Sequence, residues 1–167
     1  MDINIGSLDF DVLRLVEEDG EYVEHRLKEE LMINEDNLML EMLHQPSKYI
    51  YWSSVLEKLK YFQESIELEL ERVVASLDHE AREHIKSMGE KPTKDSVDSY
   101  IKRTDRYKEA KDKEIYYKYI VGRVQRIVKA YEQRKDMLQS YGKQIAENKM
   151  YGQGAGTRIE NSYPYSQ

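Results

Sequence analysis

The scarcity of helix breakers constrains this chain more than any other feature. Pro46, Pro92 and Pro164 are its only prolines, and between Asp19 and Met150 the only glycines are Gly20, Gly89, Gly122 and Gly142. A glycine costs a helix interior about 1 kcal/mol and a proline about 3 kcal/mol relative to alanine, so a chain this poor in both defaults to long helices. The stretch from Pro46 to Met88 contains no breaker after its first residue. Pro46 is expected in the first turn, where its missing N–H is not needed, and Gly89 at the C-terminal cap. Such a helix spans roughly 60 Å at its usual rise. Trp52, Leu56, Leu59, Phe62, Ile66, Leu70, Val73, Leu77, Ala81, Ile85 and Met88 recur along it at spacings of three and four, which makes one continuous apolar stripe.

After the Gly89-Glu90-Lys91-Pro92 turn, Thr93 is placed to cap a short helix from 94 to about 103, with Val97, Tyr100 and Ile101 as its apolar face. Thr104-Asp105 is a second cap, and a second long helix runs from there to about Asn148. Tyr117, Val124, Tyr131, Leu138 and Ile145 recur every seven residues within it, with Ile120 and Ile127 on the neighbouring position. That repeat predicts coiled-coil packing. Arg134 falls where an apolar residue is expected, either as a snorkelling end or as a polar contact that sets register. The expected fold is all-α: a long antiparallel helical hairpin or coiled coil with short accessory helices. Residues 1–45 form an acidic N-terminal arm of two or three short helices, 46–149 the hairpin body, and the glycine-rich 150–167 a disordered tail.

Charge is distributed unevenly. Residues 1–45 hold 3 basic and 13 acidic side chains, net −10, whereas residues 46–149 hold 22 and 18, net +4, so the formal net charge of −6 hides a basic body. The chain has no cysteine, which excludes disulfides, thiolate metal sites and a cysteine nucleophile. The N-terminal apolar run is too short for a signal sequence, and no window has the apolar length of a membrane span. No membrane association is expected. Catalysis finds no support either. His79 and His84 stand five apart, where one helical face needs four, and no phosphate loop or nucleophile motif is present. The expectation is a protein that is not an enzyme, holds no metal and needs no cofactor.

One stretch carries chemical content. From Tyr100 to Tyr119 the sequence YIKRTDRYKEAKDKEIYYKY sets Lys102, Arg103, Arg106, Lys108, Lys111, Lys113 and Lys118 among five tyrosines. Single-stranded nucleic acid is held by this combination, cations following phosphates while aromatic faces stack on bases. Arg82, Lys86, Lys91 and Lys94 lie where the first long helix ends and the short one begins, so cations from several elements can gather at one place. The competing reading is a solvated, mixed-charge helix face.

The order of a long helix with Trp52, Arg82 near its end, Lys91-Pro92-Thr93-Lys94, Val97 to Tyr100, Asp105-Arg106-Tyr107 and Gln133-Arg134-Lys135-Asp136-Met137-Leu138 resembles the UvsY-type recombination mediators of tailed phages, over roughly residues 46–150. The resemblance implies an accessory protein that binds single-stranded DNA, assembles into a ring-like homo-oligomer and helps load a phage recombinase in the host cytoplasm by displacing a single-strand-binding protein. The DNA-binding candidates are Arg82, Lys86, Lys91, Lys94, Lys102, Arg103, Arg106 and Tyr107. Two helices this long, each with one neighbour, bury too little apolar surface. A homo-oligomer interface is therefore expected at Tyr117, Val124, Tyr131, Leu138 and Ile145. The alternative is an all-helical protein-interaction scaffold or adaptor that binds no nucleic acid.

Overall fold

The computed structural model describes residues 11–16 and 20–160, with side chains to Tyr151. The order of elements is β1 (Val12–Val16), β2 (Tyr22–Arg26), α1 (Leu27–Leu31), a 3-10 turn (Glu35–Asn37), α2 (Leu38–Ser87), α3 (Lys94–Arg103) and α4 (Asp105–Glu160). The protein is mostly α-helical, with one small two-stranded sheet. No helix among the described residues is long and apolar enough to cross a membrane. Contacts divide the chain into two units: 1–50 with 129–167, and 51–128.

In the first unit the N-terminal region departs from the expected short helices. β1 and β2 pair antiparallel, with Leu13 opposite His25 and Leu15 opposite Val23. Leu13 and Leu15 are buried while Arg14 between them is exposed, and this period of two is what a half-buried strand requires. Gly20, at φ +86, occupies the loop between the strands in a conformation other residues avoid. Helix α2 also begins earlier than expected, so Pro46 lies inside it instead of in its first turn. The start is set upstream: the Asn34 side chain accepts the Asp36 N–H at 3.0 Å, and the 3-10 turn leads directly into Leu38. Pro46 removes one backbone donor from a 50-residue helix, a local loss that packing elsewhere offsets.

Arg134 fastens this unit. It is 3% exposed and donates from Nε to the Leu31 carbonyl at 3.1 Å, from Nη1 to Gln45 Oε1 at 2.6 Å, and from Nη2 to the Met32 carbonyl at 3.1 Å and to Glu41 Oε2. The planar fork thus satisfies the carbonyls at the end of α1 and bonds two side chains of α2 at once. Gln45 Nε2 donates to the Tyr131 carbonyl at 2.7 Å, and Tyr131 Oη to Glu30 at 3.0 Å. Burial alone would raise the Glu41 carboxyl. The hydrogen bond and charge of Arg134, with the Asn34 N–H and Lys48, outweigh it and hold Glu41 below its ordinary value. Of the two readings of Arg134, the polar contact is the one the structure has.

In the second unit the expected stripe is the core. Trp52, Leu56, Leu59, Ile66, Leu77, Ala81 and Ile85 of α2 are buried, as are Ile120, Val121, Val124, Ile127 and Val128 of α4; Met88, past the end of the helix, is exposed. Ion pairs Glu80–Arg106, Glu69–Lys113 and Glu67–Lys118 show the two helices antiparallel here, residue numbers falling on one as they rise on the other. Gly89, at φ +80, ends α2, with the Glu90 N–H reaching back to the Ile85 carbonyl at 3.2 Å. Thr93 caps α3 through a reciprocal box with Ser96. Val97 and Ile101, one turn apart, then seat α3 on Leu77, Ala81 and Ile85, and full burial of each such side chain contributes about 1.5–3 kcal/mol.

The seven-residue repeat of α4 is buried, but by the chain itself. Val124 and Tyr131 are 0% and Leu138 2% exposed, and Tyr117 and Ile145 are half-buried. Val124, Tyr131 and Leu138 are thus covered within the single chain, while Tyr117 and Ile145 keep part of their surface open. The helical backbone of α4 continues to Glu160, into the segment from 150 onward for which the sequence predicts a disordered tail; residues 161–167 lie outside those described.

Candidate nucleic-acid interface

All eight candidate binding residues belong to the second unit, and they fall into three chemical groups. The first is already neutralised. Arg82 donates to both carboxylate oxygens of Asp78 at 2.7 and 3.1 Å, one turn before it on α2. Lys86 pairs with Glu83 at 3.0 Å, and Arg106 reaches across from α4 to Glu80 at 2.8 Å and toward the Ser76 hydroxyl. Hydrogen bonding to these cations holds the carboxyls of Asp78, Glu80 and Glu83 below their ordinary values, and the bond to Asp78 raises the Arg82 guanidinium. All three pairs are exposed, where such contacts are screened and weak.

The second group consists of cations without an ion pair among the described residues: Lys91, Lys94, Lys102 and Arg103. Lys91 lies in the turn before α3, Lys94 is its first residue, and Lys102 and Arg103 are its last two. The helix rises about 1.5 Å per residue, so its two ends are only about 15 Å apart. Asp95 and Asp98 share this helix and reduce its net charge without bonding any of the four. Lys102 and Arg103 also stand at the end of α3 where the helix dipole favours cations.

Arg103 additionally shares a face with Ser96, Ser99 and Tyr100, since intervals of three, four and seven residues return to the same side of a helix. These four, with Ile85 and Thr104, line an open groove of about 470 Å3. Here a guanidinium, serine and threonine hydroxyls and an aromatic ring converge. Ser96 is committed to the α3 cap and the Thr104 hydroxyl to the Ile101 carbonyl at 2.7 Å, which leaves Ser99 and Arg103 as the groups available to an anion. The His84 ring lies 5.3 Å from Tyr100, tilted by 43°.

Tyr107 is the third case. It is half-buried against the Leu77–Ile101 cluster, as is Tyr100, so it serves the core more than a ligand. Of the five tyrosines from 100 to 119, only Tyr119 is exposed; Tyr116 and Tyr117 pack edge to face with centroids 5.7 Å apart.

The rest of the cationic stretch is paired. Lys108 bonds Asp105, Lys113 bonds Glu69, and Lys111 and Lys118 both donate to Glu114, at 2.5 and 2.6 Å. Glu114 is the buried member of this ladder, and hydrogen bonds from Lys111 and Lys118 hold its carboxyl below the ordinary value. The pairs of Lys108, Lys111 and Lys118 lie within α4 at spacings of three and four and could be read from the sequence, whereas the partner of Lys113 stands 44 residues away on α2 and could not. No family model, curated protein or solved structure matches the chain.

Proposed function

We propose that the chain is a single-stranded-DNA-binding accessory protein without catalytic activity or cofactor, a recombination mediator that self-associates. The observation that supports it best is the set of four cations around α3 without ion pairs among the described residues, one of which, Arg103, lines a groove together with Ser99 and Tyr100. Each such cation can contact a phosphate of one strand, and the counterions those phosphates release supply binding free energy. The finer parts of the reading, the loading of a phage recombinase by displacement of a single-strand-binding protein in the host cytoplasm, rest on the UvsY-type sequence resemblance alone.

The test is an anisotropy titration of a fluorescent oligothymidine at several salt concentrations. Four phosphate contacts predict a slope of about −3 in log K against log salt. Absence of binding at low salt contradicts the proposal. A second reading, a helical protein-interaction scaffold, is favoured by the exposed apolar side chains Met39, Leu40, Leu43 and Ile50 on α2. DNA binding at low salt that is lost with the α3 cations separates the two.

A further inference from the structure

The groove beside α3 sets a flat ring next to a cation. Ser96, Ser99, Tyr100 and Arg103 line it from one face of the helix, together with Ile85 and Thr104, and its volume of about 470 Å3 falls within the range of small-ligand sites. The Tyr100 ring is half-buried against the Leu77–Ile101 cluster, with the His84 ring at 5.3 Å. The part of the ring that lines the groove is therefore held in place, and a planar ligand that stacks on it has no loose side chain to order. Arg103 follows Tyr100 by three positions and Ser99 by four, so the guanidinium, the ring and the hydroxyl are neighbours on the helix surface. The carboxylates of α3 keep to another side. Asp95 and Asp98 recur at helical spacing with Lys102, and no carboxylate among the described residues lines the groove.

We infer that this groove takes one unpaired nucleotide of a strand, its phosphate on Arg103 and Ser99 and its base on the Tyr100 ring. The inference rests on the DNA-binding reading and says which part of the DNA the groove holds. Two observations select this occupant. An aromatic wall one helical turn from a guanidinium and a hydroxyl matches a ligand that carries a flat ring one sugar away from a phosphate, the combination by which single strands are held. Cations also continue past the groove, with Lys91 and Lys94 at the start of α3 and Lys102 at its end. A lone phosphate ester or a phosphorylated side chain would leave them unused, whereas a strand carries a phosphate at every residue and reaches them. The base must be unpaired, because in a duplex it is stacked and bonded inside the double helix and extruding it costs free energy. The α3 site thereby distinguishes single strands from duplex, a distinction its lysines do not make by charge.

The test compares two strands of equal length and phosphate count in anisotropy titrations of the full chain: oligothymidine, and the same deoxyribose-phosphate backbone with every base removed. The abasic strand should bind at least about fivefold more weakly, the lower end of what one stacked base contributes. Its salt slope should be the same, because the phosphates are unchanged. Tyr100→Leu, which keeps an apolar side chain against the cluster, should bring the two strands within about twofold of each other, with unchanged helical circular dichroism. Equal affinities in the parent overturn the inference and leave the DNA-binding reading standing, whereas absence of binding to either strand at low salt overturns both. A folded Tyr100→Leu variant that keeps the full difference places the stacking elsewhere and overturns the inference as well. Should that variant fail to fold, the parent decides. A strand carrying 5-iodouracil should cross-link to Tyr100 on irradiation, and cross-links that map only to other residues, or none, overturn it.

Discussion

Arg134 and Arg103 are the same side chain put to opposite uses. Arg134, in the first unit, is 3% exposed and spends its guanidinium on two carbonyls, an amide and a carboxylate. Arg103, at the end of α3 in the second unit, lines an open groove and has no ion pair among the described residues. Between these extremes lie the half-buried Lys111 and the exposed Lys113 and Lys118, all paired. A count of basic residues weighs all of them alike. What makes a cation available to a polyanion is the carboxylate it is not bonded to, and on α3 Asp95 and Asp98 are present without bonding any of the four cations.

The largest effect that would sharpen this contrast is structural. Arg134→Met should destabilise the protein by about 3–5 kcal/mol, the usual cost of breaking a buried pair from one side, measured by urea unfolding. Whatever fraction remains folded should keep the salt slope of DNA binding, since Arg134 has no spare donor aimed at solvent; a reduced slope would break the distinction. Next is the seat of α3. Ile101→Ala should cost about 2–4 kcal/mol, and because it loosens the helix carrying Lys102 and Arg103 it should weaken DNA binding as well. Thr93→Ala removes the cap of α3 at a cost of about 1 kcal/mol in thermal unfolding, with binding reduced by less than about threefold.

The smallest effect concerns the paired lysines. The Glu114 carboxyl is held below its ordinary value of 4.5, so its contribution to stability is fully present above that value and is lost as pH falls through the lowered one. Glu114→Gln should therefore be less stable than the parent at pH 7 and converge with it in acid. At neutral pH the same change removes the carboxylate paired with Lys111, while Lys118 keeps its pair with Glu67, and should strengthen DNA binding slightly. A variant that binds more weakly would show that pairing does not withhold these lysines.

The features that could be read from the sequence are those whose cause is local. Thr93 with Ser96, Gly89 and the Trp52 to Ile85 stripe each act within a few residues of their own position, so α3 and the core face of α2 were legible. The strand β1 was not, because four apolar residues among Val12–Val16 mask the alternation that only burial reveals. Pro46 suggested a helix start that the Asn34 turn had already set upstream. The α4 repeat was legible as buried but silent on what covers it. The pairing of Arg106 with Glu80 and of Lys113 with Glu69 links residues 26 and 44 apart, and spacing within one helix says nothing about that.

The central claim, that pairing decides which cations meet DNA, is tested most directly by two four-site variants measured side by side. One replaces Lys91, Lys94, Lys102 and Arg103 with glutamine, and the other replaces Lys108, Lys111, Lys113 and Lys118. The net charge change is the same, so nonspecific electrostatics alone predicts equal losses in oligothymidine affinity. The account predicts that the first loses at least about tenfold and that its salt slope shrinks by about 3, while the second stays within about threefold of the parent. Equal losses, or a larger loss in the second variant, would contradict it.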